Sequence, residues 1–141
     1  MNSILIIERK MKVAAMLSTY LTACGYKVEV EIDGSKKTQA LMRKKHFDIV
    51  MADINLKWDP ILLGHGDFHH KGRQTGVILV TTGCFISDSF FKGFYGMFGQ
   101  KIILIRPFSL FELKQVIEDI LYNIKFESKY FADMQTKEQL Q

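Results

Sequence analysis

The sequence predicts an α/β fold built on a parallel sheet, and three observations predict it. Apolar runs of strand length alternate with stretches of helical periodicity, the pattern of successive β-α units. The runs at 4–7 and 77–80 are wholly apolar, as expected of strands with both faces buried. Acidic residues close the first and third of these runs, at Glu8 and Asp53, so polar chemistry gathers where strands end.

Each element has its own signal. Residues 3–7 form the first strand. From Met11 the pattern turns helical: Val13, Leu17, Tyr20, Leu21 and Cys24 share a face, and Gly25 stands where a helix C-terminus is capped. Residues 26–32 set Val28, Val30 and Ile32 against Lys27, Glu29 and Glu31, a half-exposed strand that suits a sheet edge. Asp33-Gly34 marks a turn, and 35–45 reads as a second helix. The third strand covers 48–52 and runs into Asp53; the fourth covers 77–81 and the fifth 102–105. Ser109 and Glu112 make a capping box at the start of the last helix, where Leu113, Val116, Ile117, Ile120, Leu121 and Ile124 supply one apolar face. Residues 58–74 should hold a third helix, shortened or broken by Pro60, Gly64, Gly66 and Gly72. Residues 87–99 should hold a fourth. Beyond Lys125 the composition turns polar, which predicts a domain over 1–125 and a tail or short extra helix over 126–141.

Composition bounds the function. The 141 residues are one domain's worth, and 48% hydrophobic with 24% charged residues specifies a globular chain. No apolar run approaches the ~20 residues that span a bilayer, and the N-terminus lacks the order of a signal peptide. Cys24 and Cys84 form no motif, which fits a reduced, cytoplasmic setting. The net charge of +4 is scattered; its densest cluster, Arg43-Lys44-Lys45, closes a helix where cations suit the dipole. With no helix-turn-helix and no basic recognition helix, nucleic acid is not an expected partner.

Five strands alternating with five helices, with an acid closing the first and third strands, resemble the CheY-like response-regulator receiver family over residues 2–125. The resemblance implies a flavodoxin-like, doubly wound five-stranded parallel sheet in the order 2-1-3-4-5, with helices on both faces and the site at the carboxyl ends of the central strands. It implies further that Asp53 matches the phosphoacceptor and Thr81 the hydroxyl residue that contacts the phosphoryl group. Arg106, in Arg106-Pro107-Phe108, stands where the family has lysine, after which a cis proline bond is expected. Ile103 replaces the switch aromatic, and Lys57 and Ile61 replace the Pro and Gly that follow the third strand.

The departure at the first strand bears on the chemistry. The family ends that strand with two acids that help to hold magnesium; here they are Glu8 and Arg9. Glu8 and Asp53 against Arg9 and Arg106 make a neutral site without any metal. A guanidinium ~4 Å from a divalent ion costs on the order of 8 kcal/mol at an effective dielectric near 20. The expectation is therefore that Arg9 pairs with Asp53 and that Glu8 and Asp53 bind magnesium weakly or not at all.

Two other clusters are notable. His65, Asp67, His69 and His70 offer metal-ligand chemistry, but the flanking glycines favour a solvated loop. Phe90, Phe91, Phe94, Tyr95 and Phe98 cover more of a helix than one buried stripe needs, and with Ile103 they are candidate interface residues. The expected function is an atypical, stand-alone, non-enzymatic receiver acting by protein–protein contact in two-component signalling, independent of phosphate. Its partners would be a sensor kinase or downstream protein, or a second copy through the face of the fourth helix, fifth strand and last helix. The alternatives are a working phosphoacceptor with a weakened magnesium site, and a flavodoxin-like small-molecule or metal-binding domain. The last is disfavoured because no Gly-rich phosphate loop follows the first strand.

Overall fold

The computed structural model describes residues 1–33, 36–53, 74–82, 92 and 100–139, with side chains through residue 126. Strands β1 (Ser3–Ile7), β2 (Lys27–Glu31), β3 (Ile49–Asp53), β4 (Gly76–Thr81) and β5 (Lys101–Ile105) form one parallel sheet in the order β2-β1-β3-β4-β5. Three helices accompany them among the described residues: α1 (Met11–Ala23), α2 (Lys36–Lys44) and α3 (Leu110–Gln139), the last helix of the chain. The segments expected to hold the third and fourth helices lie largely outside the described residues.

The pleat explains why the central strands are apolar throughout. Ile4, Ile6, Ile49, Met51, Ile78 and Val80 point to one face, where α1 and α3 cover them with Leu17, Leu21, Leu113, Ile117 and Ile120. Leu5, Ile7, Val50, Ala52, Val77 and Leu79 point to the other, against Met42 of α2 and Phe47. Burying a side chain of this size contributes roughly 1.5–3 kcal/mol. The half-exposed strand β2 sits at the sheet edge, as its alternation requires.

Local chemistry sets the element ends. Gly25 takes φ +97°, and the amides of Gly25 and Tyr26 donate to the carbonyls of Thr22 and Leu21, a Schellman closure of α1. Ser109 Oγ accepts the Glu112 amide at 3.0 Å and starts α3. Asp48 serves as a staple, with its Oδ2 accepting the Ser3 amide at 2.8 Å where β1 and β3 begin. Lys45, in the basic cluster after α2, binds Glu29 at 2.8 Å and lies over the Phe47 ring. The polar turn in composition at Lys125 does not end the last helix, whose backbone continues to Gln139.

The strand order carries a functional consequence. The chain winds one way from β1 to β2 and the other way from β1 to β3, so a crevice opens beyond the carboxyl ends of β1 and β3.

Candidate functional site

Four strand ends meet in that crevice. The register pairs Ile7 with Ala52, so the next residue of each strand, Glu8 and Asp53, stand side by side. Asp53 pairs with Val80 and Thr81 with Ile105, which places Thr81 one step beyond Asp53 and Arg106 one step beyond Thr81. The Arg106 amide donates to the Thr81 carbonyl at 2.7 Å and carries the β4–β5 ladder into the site. The Arg106–Pro107 bond is cis, as the resemblance implies.

Among the described residues Glu8 is the most deeply held charged group, at 4% exposure. Its amide donates to the Glu31 carbonyl at 2.9 Å, and its Oε1 accepts the Lys10 amide at 3.0 Å. Its Oε2 accepts Arg106 Nη2 at 2.8 Å. The same nitrogen lies 3.4 Å from Asp53 Oδ2, so a single guanidinium spans both acids. Charge-assisted bonds to partly buried groups are the stronger kind, each contributing about 1.5–3 kcal/mol. Thr81 is buried at the end of β4.

The expected Arg9–Asp53 pair does not form. Arg9 is exposed and engages neither acid among the described residues. The reason is local: the Lys10 amide folds back onto the Glu8 carboxylate, which puts Arg9 at the outside of a tight turn. The expected neutral count changes accordingly. Glu8, Asp53 and Arg106 sum to a net −1, and the repulsion assigned to a guanidinium beside the metal position no longer applies to Arg9.

A magnesium ion at this site would compete with the Arg106 guanidinium for both acids. Magnesium demands near-octahedral oxygen ligands. Both Glu8 oxygens are occupied, the Asp53 oxygen faces the same guanidinium, and the position of a third acid holds the outward Arg9. Among the described residues no three His, Cys, Asp or Glu side chains gather to hold a metal.

The remaining expected site residues fall elsewhere. His65, Asp67, His69 and His70, and the aromatic run Phe90, Phe91, Phe94, Tyr95 and Phe98, lie outside the described residues. Ile103 is half-buried and packs on the Leu5–Leu79 core, whereas Ile105 two residues on is 57% exposed. Sequence reasoning missed the Glu8–Arg106 bond. Their strands are three spacings of about 4.8 Å apart, and only two long side chains bridge that gap.

No protein-family model and no curated protein matches this sequence. Solved structures match its shape. A CheY-like receiver domain protein from Methanospirillum hungatei JF-1 superposes with a TM-score of 0.74 at 18% identity, covering 90% of this chain and 98% of that one. The chemotaxis protein CheY4 of Vibrio cholerae does so at 0.67 and 20% identity, over 85% of this chain and 98% of its own. The receiver domain of a sensor histidine kinase from Pseudomonas aeruginosa PAO1, solved with magnesium coordinated in its active-site cleft, gives 0.66 at 19%, over 85% and 97%. The chain has the CheY-like receiver fold.

Proposed function

We propose that this chain is a receiver module of two-component signalling that works by protein–protein contact and does not need phosphate. The observation that carries the reading is the Arg106 guanidinium, 2.8 Å from Glu8 and 3.4 Å from Asp53. A receiver that accepts phosphate needs an accessible nucleophilic carboxylate and a divalent cation beside it. Here the cationic charge is supplied by the protein itself, and the first strand offers one acid in place of two. Asp53 is held as an ion-pair partner, which lowers its nucleophilicity. Contact with a partner protein is supported by exposed aromatics on the last helix. Phe111, Tyr122 and Phe126 are all more than half exposed and lie opposite its buried Leu113, Ile117 and Ile120. The partner is a kinase, a downstream signalling protein or a second copy of this chain.

A second reading, a working phosphoacceptor at Asp53, is favoured by one observation: Arg9 faces outward and leaves the cluster with a net −1. A comparable fold holds magnesium in the Pseudomonas receiver. Intact mass after incubation with a small phosphodonor and magnesium separates the two. The proposal expects no phosphate-sized increment on the folded protein. An increment on wild type that is absent from Asp53→Asn establishes the second reading instead.

A further inference from the structure

Beside the ion-paired cluster, the first two turns of α1 and the segment from Arg106 to Leu110 enclose a cleft of about 600 Å³. Val13, Met16, Leu17, Phe108 and Leu110 line it largely with carbon, and Arg106 and Thr82 are its polar residues among the described ones. Its size falls within the ~300–1,000 Å³ of small-molecule sites, and its make-up, an apolar wall with few polar groups, is theirs too. Met16 at the cleft is 51% exposed, so the lining is open to solvent.

The charge around this end of α1 selects among ligands. Arg9, Lys10 and Lys12 are exposed at its start, α1 has no acid in its first turn, and no side chain caps it. The positive end of the helix dipole adds to these cations. Among the described residues, these three and Arg106 make four cations against Glu8 and Asp53, which Arg106 already bridges, and Glu112 in the first turn of α3. We propose that the cleft between α1 and residues 106–110 binds a small amphipathic anion. Its apolar body lies against Val13, Met16, Leu17 and Phe108, and its single negative group lies toward the cationic start of α1. The proposal stands independently of whether Asp53 accepts phosphate. Because Arg106 belongs to both the cleft and the acid cluster, occupancy of one is linked to the state of the other.

Calorimetric titration of the full chain with decanoate, decanol and decyltrimethylammonium, each below its micellar concentration, tests this. Decanoate should bind saturably with one-to-one stoichiometry, and the neutral and cationic analogues at least about tenfold more weakly. Met16→Trp, which fills the cleft at a half-exposed position, should weaken decanoate about tenfold with the melting temperature retained. The exposed pair Lys10→Glu and Lys12→Glu should weaken decanoate and leave decanol unchanged. Equal binding of the three probes, no saturable decanoate binding, or decanoate binding indifferent to Met16→Trp and to the charge reversals overturns the proposal.

Discussion

At the residue scale, the Arg106 guanidinium holds two acids at once and one of them is buried, so the consequences of removing it are large and specific. Arg106→Ala leaves Glu8, 4% exposed, without its charged partner. The expected cost is about 1–3 kcal/mol in denaturant unfolding, discounted from a fully buried pair because Arg106 remains partly exposed. Two adjacent carboxylates with no internal cation should also attract an external one. Magnesium should then raise the melting temperature of Arg106→Ala and leave wild type unmoved. Arg9→Asp adds an acid at the outside of the Glu8–Lys10 turn. Placed outward, it should give no magnesium-dependent stabilisation while Arg106 bridges the two acids; a gain in this single variant would count against the account. Glu8, Asp53, Thr81 and Arg106 were legible as strand ends because apolar runs stop abruptly at each. The pairing among them was not, because it depends on the Lys10 amide turning back onto Glu8, a local conformation that periodicity does not encode.

At the element scale, helices and strands form where burial and end chemistry agree. The last helix crosses the sheet so closely that a methyl group added at Gly76 would collide with the Ile120 side chain. Gly76→Ala should therefore cost about 1–3 kcal/mol through overpacking, and Ile120→Leu in the same chain, which removes the β-branch methyl it meets, should recover part of it. Thermal unfolding of the single and double variants checks this; an unaffected single variant would mean that α3 has room to shift. The strands read from sequence match those observed to within a residue or two, since strictly alternating or wholly apolar runs have one sensible placement in a parallel sheet. The end of the last helix was less legible. Polarity beyond Lys125 does not mean that backbone hydrogen bonding stops, and α3 runs on to Gln139.

At the scale of the whole molecule, the strand order β2-β1-β3-β4-β5 gathers an acid, an acid, a hydroxyl and a guanidinium from four separate strand ends into one crevice. That fold is shared with receivers from distant sources at identities of 18–20%. Inside the crevice of this chain, Arg106 bridges the two acids. The central claim, that Arg106 stands in for a metal this site does not take, is tested most directly by calorimetric titration of magnesium into the wild-type chain. The account predicts no saturable heat at any physiological concentration. Saturable one-to-one binding that disappears in Asp53→Asn would contradict it.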